Sequence, residues 1–278
     1  MAEPWIETYR GAVSPWECDV TEHFTVAFYF DRVAMAEASL AAELGLLDLL
    51  RSGGFVRRYD VRYARELRAG SAFHVESAAI TQDGGLRFGH RFVDSVTGEA
   101  ITWFDVHWDG LAAELPAGLT AADWDGPEFE VRADPQDLSR LIPTAAGRVQ
   151  PDDLDEFGRM GICGVVHKFT DSSVQIGAAI GLTADYIKTA RRGFSTFEFR
   201  VRIAHSLALG DRYQNRTGIA HLGNSSLRFL HVISDPATGR EIARLGQYGV
   251  TLDLDARRPA ALAPEVRARA ERLVLPNG

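Results

Sequence analysis

One long, mostly apolar segment near the start of the chain differs from its surroundings in the spacing of hydrophobic and polar residues. Residues Thr25–Leu44 read TVAFYFDRVAMAEASLAAEL, without Gly or Pro, and Gly45 follows directly. Ala and Leu favour helix, and Gly commonly stands just past a helix end. Because few positions of the run are strongly polar, it predicts a long helix that is buried on most of its surface.

Shorter segments with apolar and polar residues in near alternation surround this helix and predict strands. Asp83–Gly85 and Asp94–Gly98 have the composition of hairpin turns, with Gly available for a positive φ. We expect the four strands after the helix to form an antiparallel meander. The predicted strands are Ile6–Glu17, Phe55–Tyr63, Ala72–Gln82, Leu86–Val93 and Ala100–Trp108.

The pattern then repeats. Leu86–Ile101 and Leu227–Ile242 are identical at 8 of 16 positions with an offset of 141. Upstream matches keep their order, with an offset of 140 around Val61 and of 136 around Asp19. Small steps in the offset are what loop insertions produce, so the chain contains a duplicated unit of about 100 residues.

The second copy predicts the same elements as the first. Residues 1–111 and 144–254 are expected to form two units, joined by a linker at 112–143 and followed by a tail at 255–278. The linker is proline-rich, with at most one short helix, and the tail predicts a short exposed helix. The predicted elements are a helix near Gly161–Gly181, strands Phe194–Ile203, Arg212–Ala220, Leu227–Ile233 and Glu241–Leu252, at most one short helix near Pro135–Leu141, and a short helix at Pro264–Leu273.

Composition and charge narrow the partners. The 278 residues include 30 Lys and Arg against 38 Asp and Glu, a net charge of −8, which argues against nucleic-acid or membrane-surface binding. The two cysteines, Cys18 and Cys163, suggest a reducing compartment. No apolar stretch approaches membrane-spanning length, and Met1–Tyr9 lacks the basic start of a signal peptide. We therefore expect a cytoplasmic protein.

Metal and nucleotide motifs are missing from the sequence. The eight His and two Cys residues form no CxxC, HxxxH or HExxH pattern, so no metal site is expected. Neither a GxGxxG or P-loop nor a GxSxG motif occurs, which argues against dinucleotide binding and an α/β-hydrolase.

The candidate chemistry lies just before the first long helix. Asp19 ends the first predicted strand, and His23 follows four residues later. Here the chain resembles the hotdog-fold thioesterases of the 4-hydroxybenzoyl-CoA thioesterase type, whose pattern is Asp-x-x-Gly-His, an apolar residue, Asn and a later Tyr. Asp19, His23 and Tyr29 match this pattern, whereas Glu22 replaces the Gly and Thr25 replaces the Asn.

The resemblance implies an α+β fold, a double hotdog in which each unit wraps an antiparallel sheet around a long central helix. It also implies hydrolysis of an acyl-CoA or acyl-ACP thioester. Asp19 would act as general base or nucleophile, His23 would orient Asp19, the water or the thioester, and Thr25 would supply a hydroxyl. Backbone amides near Phe24–Ala27 would stabilise the oxyanion at the start of the helix.

Four further residues are implied in substrate binding, namely Phe24, Tyr29, Arg58 and Arg62. In related folds, basic residues at the cleft mouth meet the phosphates of coenzyme A, which here would be part of the substrate. No separate cofactor is expected. A homo-oligomer of such chains is compatible with this picture.

The second copy differs at the site itself, since it has Asp155 and Gly158 but Arg159 in place of His23. Hotdog units pair with sites between them, so a fused pair has two non-equivalent clefts. We expect the Asp19 cleft to be catalytic, and the reverse assignment stays open. If the Asp19 cleft is catalytic, Arg159 would bind a carboxylate or a phosphate, or pair with Asp155.

Two other functions compete with hydrolysis. A non-catalytic acyl-thioester sensor would keep the binding cleft without turnover, and Asp19 would then be a turn or helix-capping acid. A hotdog dehydratase or hydratase would need a Gly-Asp-x-Asn-Pro-type stretch, which this sequence lacks.

Overall fold

The structure is a computed structural model that describes residues 4–19, 22–81, 85–110, 115 and 121–276. The predicted unit boundary at 111 and the centre of the Asp83–Gly85 turn lie outside these residues. The division of the chain into units therefore stays a prediction. The elements of the first copy are β1 Ile6–Ala12, α1 Val26–Glu43, α2 Leu47–Ser52, β2 Val56–Tyr63, β3 Ala72–Ala79, β4 Leu86–Asp94 and β5 Ala100–Asp109.

The second copy repeats this order of elements, including a short 3-10 turn before each long helix, at Pro15–Glu17 and Pro151–Asp153. Its elements are β6 Ile142–Arg148, α3 Ile162–Ile180, α4 Ala184–Ala190, β7 Arg192–Ile203, β8 Arg212–Leu222, β9 Ser226–Ser234 and β10 Glu241–Asp253, followed by β11 Arg258–Pro259 and α5 Pro264–Glu271.

All strands join one sheet, in the order β1-β3-β4-β5-β2-β7-β10-β9-β8-β6, with β11 beside β10. The expected four-stranded meander is therefore wrong in one respect, because β2 pairs with β5 and not with β3. The connection at 64–71 makes no hairpin. It passes beneath the start of α1, where the Phe24 amide donates to the Leu67 carbonyl at 2.8 Å.

The two long helices pack on one face of this sheet and on each other. Ala27, Phe30, Val33 and Ala36 of α1 are fully buried, which confirms the helix burial predicted from sequence. A single hydrophobic cluster holds residues of both copies, including Leu245 of β10. The two copies therefore share one core.

The two copies are related by a pseudo-two-fold arrangement. Strands β2 and β7 pair antiparallel, and Asp60 lies directly opposite Arg200, its equivalent at offset 140. Near the same axis, the Cys163 thiol of α3 contacts the carbonyl of Ala27, its equivalent at offset 136. The start of each long helix consequently faces elements of the other copy.

One prediction about the connecting segments needs correction, and the other is compatible with the structure. Residues 135–141 are all described and form no helix, which agrees with the prediction of at most one short helix there. The chain there is anchored instead by ion pairs of Asp134 with Arg228 and Arg244 on the sheet. The C-terminal helix α5 exists, but Val266 and Ala270 are buried against the second copy, so one of its faces is not solvated.

Candidate active site

The loop before α1 is held in a tight turn by backbone bonds. The Asp19 amide donates to the His23 carbonyl at 2.9 Å, and the Glu22 amide donates to the Asp19 carbonyl at 3.0 Å. Glu22 has a φ of 66°, in the left-handed region that favours glycine. The Asp19 side chain is exposed and accepts the His23 amide at 3.2 Å.

Two of the four amides proposed for the oxyanion are already used. The Phe24 amide donates to Leu67, and the Thr25 amide donates to the Glu17 carbonyl at 2.9 Å. Val26 and Ala27 are the first residues of α1, where amides have no partner within the helix. Neither of these two amides donates a hydrogen bond to an acceptor among the described residues. Of the four amides, these two are therefore the ones that can bind the oxyanion.

His23 lies between the carboxylate of Glu66 and the guanidinium of Arg68 in a partly exposed polar cluster, which we call the mouth. Its Nε2 atom is 3.0 Å from Glu66 Oε2 and 3.0 Å from Arg68 Nη2. The first contact needs a proton on Nε2 and the second needs a lone pair, so the tautomer selects between them. Ser195 of the second copy donates to Glu66 at 3.4 Å, which means that both copies form this mouth.

A small cavity of about 60 Å³ lies at the start of α1, between the two copies. We call it the first cleft. Val26 is its contribution from α1, and the other walls come from α3, β7 and β10. Its lining residues are Val26, Val166, Phe169, Thr170, Ser173, Phe199, Leu245 and Gln247.

A buried polar network orients Gln247 in this cleft. Its Oε1 accepts from Ser173 Oγ at 2.6 Å and is 3.1 Å from His231 Nε2, while its Nε2 donates to Thr196 Oγ1 at 2.7 Å. The Nδ1 atom of His231 is 2.9 Å from the Thr217 hydroxyl. Burial lowers the pKa of His231 to about 4, so the imidazole is neutral at physiological pH.

The equivalent loop of the second copy is closed by its own side chains. The Asp155 carboxylate accepts from the Phe157 amide at 3.0 Å, the Arg159 amide at 3.2 Å and Arg159 Nε at 3.0 Å. The same guanidinium donates to the carbonyls of Leu50 and Arg51 at 2.6 and 3.0 Å. Arg159 thus caps the last turn of α2 and holds the loop against the first copy.

Bulky groups fill the space behind that loop, where the start of α3 faces the first copy. The Glu37 carboxylate accepts from Trp108 Nε1 at 2.6 Å and from the Tyr59 hydroxyl at 2.9 Å. Burial raises the pKa of Glu37. Its equivalent in the first cleft is Ser173, a much smaller side chain, which leaves room at the corresponding place in the first cleft.

Sequence reasoning missed the polar wall of the first cleft. Ser173 and Gln247 stand where the first copy has Glu37 and Val106, at offsets of 136 and 141. The sequence indicated these residues only by comparison of the copies. At both pairs of equivalent positions the side chain differs in charge or polarity, although the position lies on a buried face. Glu66 had no signal, because it lies in the connection that follows β2.

Two of the residues predicted to bind substrate lie in the core. Phe24 is 4% exposed and Tyr29 is 2% exposed, and their rings are in contact at 4.6 Å between centroids. The Tyr29 hydroxyl accepts the Leu67 amide at 3.1 Å. The two side chains thus pack beneath the loop and the start of α1. A direct contact of either one with substrate stays a prediction.

Arg58 and Arg62 point to the other side of the sheet. The inward positions of β2 are Tyr59 and Val61, so alternation turns the two arginines away from the helices. Arg58 donates to Asp60 at 2.8 Å, and Arg62 pairs with Glu198. The structure does not bring them to the first cleft, and their role in binding substrate stays untested.

A cysteine and a histidine on one face of α3 are a further candidate for chemistry. Cys163 and His167 are four residues apart, and Phe28 of α1 stacks edge-on against His167 at 5.4 Å. Burial raises the pKa of the Cys163 thiol to about 12. A thiol in that state is a poor nucleophile near neutral pH.

Within the described residues, no three or more His, Cys, Asp and Glu side chains are grouped so that they could hold a metal ion. None of the helices in the described part of the chain is long and apolar enough to cross a membrane.

Comparison with known proteins agrees with this architecture. Residues 149–270, most of the second copy, match the model of the Thioesterase-like superfamily. A putative oleoyl thioesterase from Lactobacillus plantarum has a TM-score of 0.65 and 13% identity, covering 89% of this chain and 97% of its own. An acyl-ACP thioesterase from Bacteroides thetaiotaomicron VPI-5482 has a TM-score of 0.64 and 11% identity, covering 87% and 96%.

A plant protein has the same architecture. The 12:0-ACP thioesterase from Umbellularia californica has a TM-score of 0.60 and 15% identity, covering 91% of this chain and 96% of its own. No curated protein matches the sequence significantly. The chain therefore has the α+β double-hotdog fold that the resemblance implied, with two units in tandem.

Proposed function

We propose that the protein hydrolyses an acyl thioester in the first cleft. The observation that carries this proposal is an exposed carboxylate, Asp19, in the loop that leads into a helix whose first two amides, those of Val26 and Ala27, have no acceptor among the described residues. The superfamily match and the thioesterase fold support the same chemistry.

The proposed reaction needs only water as co-substrate. The amides of Val26 and Ala27 hold the carbonyl oxygen as negative charge develops on it. Asp19 takes a proton from the attacking water, or attacks the carbonyl carbon itself. When Asp19 activates water, the carbon–sulfur bond then breaks, the sulfur leaves as thiol with that proton, and a carboxylic acid remains. When Asp19 attacks the carbon, the thiolate leaves as a mixed anhydride forms on Asp19; water then hydrolyses the anhydride, which releases the carboxylic acid, restores Asp19 and supplies the proton of the thiol.

His23 is proposed as a positioning residue for Asp19. Its backbone amide already donates to the Asp19 carboxylate, and its ring joins the turn to Glu66 and Arg68. The Thr25 hydroxyl makes no capping hydrogen bond within the described residues, which is compatible with a contact to substrate.

The test compares the two aspartates of the repeat. Release of free thiol from acyl-CoA substrates is followed with a chromogenic thiol reagent. For Asp19→Asn we expect kcat to fall about 100-fold or more, with the melting temperature little changed. For Asp155→Asn we expect reduced stability without a comparable loss of kcat, because Asp155 is saturated by donors of its own loop.

The opposite result would overturn the assignment. If Asp155→Asn abolishes turnover and Asp19→Asn does not, the second cleft is the active one. Tight binding of acyl-CoA without thiol release in the unmodified protein would instead favour the sensor function.

We further propose coenzyme A as the acyl carrier and the cytoplasm as the location. Arg68 is 46% exposed beside His23 and is the cation that a phosphate would meet at the mouth. Arg68→Gln should raise KM for an acyl-CoA more than for the same acyl pantetheine, which lacks the nucleotide. Both cysteines are free thiols, in keeping with a reducing compartment.

A further inference from the structure

The first cleft has a polar wall that acyl-chain hydrolysis alone does not require. We propose that it selects a short acyl group carrying a hydroxyl, which Gln247, Ser173 and Thr170 recognise. This inference rests on the proposed thioesterase function and specifies its substrate class.

The size of the cleft limits the acyl chain. The cavity measures only about 60 Å³, far below the volume of an ordinary ligand pocket, so a short acyl group fits it better than a long chain. Phe169, Phe199 and Leu245 close its walls, and Phe169 and Phe199 are themselves almost fully buried. A long chain would have to displace packed core side chains.

The hydrogen-bonding capacity of the wall fits a hydroxyl. Gln247 Oε1 is occupied by Ser173 and His231, which turns the amide nitrogen toward Thr196. One of its two N–H groups donates to Thr196, and the second has no acceptor among the described residues. Gln247 therefore offers a donor to a ligand.

Acceptors lie on the neighbouring helix. Thr170 Oγ1 donates to the Val166 carbonyl at 3.1 Å, and the single hydrogen of Ser173 Oγ goes to Gln247 or to the Phe169 carbonyl. Each hydroxyl oxygen keeps lone pairs that can accept a hydrogen bond. A ligand hydroxyl both donates and accepts, so it satisfies the two kinds of group together.

Charge excludes a carboxylate at the same place. None of the eight lining residues carries a charge, and His231 behind Gln247 is neutral because burial disfavours its protonated form. A carboxylate would lose its hydration without gaining a cation, which is costly in a buried site. The wall therefore matches a neutral polar substituent.

The repeat shows that this wall belongs to one copy. Where the second copy has Thr170 and Gln247, the first has Ala34 and Val106 at the equivalent positions. Buried polar side chains lower stability unless they are satisfied. Polar groups at these two positions, with spare bonding capacity facing a cavity, are best explained by a ligand.

The experiment measures kcat/KM for butyryl-CoA, 3-hydroxybutyryl-CoA, succinyl-CoA and palmitoyl-CoA. We expect 3-hydroxybutyryl-CoA to exceed butyryl-CoA about tenfold, with succinyl-CoA and palmitoyl-CoA lower still. Gln247→Val, which installs the residue of the first copy, should lower kcat/KM for 3-hydroxybutyryl-CoA about tenfold relative to that for butyryl-CoA and so abolish the preference. Palmitoyl-CoA as the best substrate would overturn the inference and leave hydrolysis intact.

Two more variants protect against loss of folding at Gln247. Thr170→Val and Ser173→Ala each remove one hydroxyl and should each reduce the preference severalfold. Ser39→Ala is the matched control, because Ser39 also donates to the carbonyl four residues earlier but lies exposed on α1. An equal loss of preference in the control would contradict the role of the wall.

A binding measurement separates the inference from the proposed function. The probes are the thioethers S-butyl-CoA and S-(3-hydroxybutyl)-CoA, which cannot be hydrolysed, and their Kd values are determined by titration calorimetry. About tenfold tighter binding of the hydroxylated probe supports the inference even if no thioester is turned over. Equal Kd values for the two probes would overturn it whether or not hydrolysis is observed.

Discussion

At the scale of single residues, one glutamate has a left-handed backbone conformation that favours glycine. Glu22 has a φ of 66°, and its equivalent in the second copy, Gly158, has a φ of 77°. The left-handed conformation costs a residue with a side chain roughly 1–2 kcal/mol. The Glu22 carboxylate lies 3.8 Å from Arg68 on the surface, a contact that offsets little of this cost.

Glu22→Gly should therefore stabilise the protein. We expect the free energy of unfolding in urea to rise by about 0.5–1 kcal/mol, because relief of strain exceeds the added flexibility of the unfolded chain. Gly158→Ala is the converse control. Its added Cβ would meet nothing within 4 Å, so a loss of about 1 kcal/mol would measure backbone strain alone. A destabilising Glu22→Gly would contradict this account.

The buried histidines are a second duplicated feature at this scale. His90 and His231 each contact a hydroxyl through Nδ1, Ser77 at 2.7 Å and Thr217 at 2.9 Å. Burial lowers the pKa of His90 to about 3 and that of His231 to about 4. Both imidazoles stay neutral in the folded protein, whereas in the unfolded chain they titrate near their ordinary pKa of about 6.5.

Stability should consequently fall as pH falls from 7.5 to 5. In this window the unfolded state binds more protons, so the stabilisation is fully present above pH 6.5 and is lost below it. We expect about 2 kcal/mol of loss per histidine at pH 5. Urea unfolding of the unmodified protein and of His231→Gln at both pH values checks this, and an equal pH dependence in the two proteins would contradict it.

At the scale of elements, the seam between β2 and β7 holds a charge pair that a single unit could not provide. Asp60 and Arg200 are equivalent positions, so two identical units would place like charges opposite each other. Here Arg200 Nε donates to the Asp60 carboxylate, which is almost fully buried and also accepts from Arg58. Divergence after duplication therefore made the seam complementary.

A double-mutant cycle of Asp60→Ala and Arg200→Ala should show this coupling. We expect an interaction free energy of about 1–3 kcal/mol in unfolding experiments, because removal of one partner leaves the other poorly solvated. The exposed pair of Asp48 and Arg51 serves as control and should give about 0.5 kcal/mol or less. Equal coupling in the two pairs would show that burial at the seam adds nothing.

At the scale of the whole molecule, the copies are parts of one structure. Ten strands form a continuous path, and one hydrophobic cluster contains Phe30 and Phe104 of the first copy with Phe199 and Leu245 of the second. The first cleft also needs both copies, since Val26 comes from one and Gln247 from the other. Separation of the copies would expose the seam, the shared core and the site together.

The chain should accordingly unfold in one cooperative transition. In scanning calorimetry we expect a single peak with equal calorimetric and van't Hoff enthalpies, because the hydrophobic cluster formed by both copies is lost when they separate. Asp60→Ala should shift this peak to lower temperature without splitting it. Two resolved transitions would show that the copies fold independently.

Much of the fold could be predicted because its helices and hairpins depend on patterns of neighbouring residues. The buried helix at Val26–Glu43 and the hairpin strands followed from apolar spacing, and the repeat supplied the second set of elements. The short helices α2 and α4 were missed, since six or seven residues give too few positions to show a period. The site loop was found from Asp19 and His23, which lie close together in the chain.

By itself, the sequence determined that two copies of one helix-and-sheet unit occur, and that their site loops differ at His23 and Arg159. Only the tertiary structure decided that Arg159 binds Asp155 and caps α2, that Arg58 and Arg62 face away from the helices, and that Gln247 lines the first cleft. The physical reason is the range of the interactions. Periodicity and turns act between neighbouring residues, whereas a cleft is formed by side chains that lie far apart in the chain.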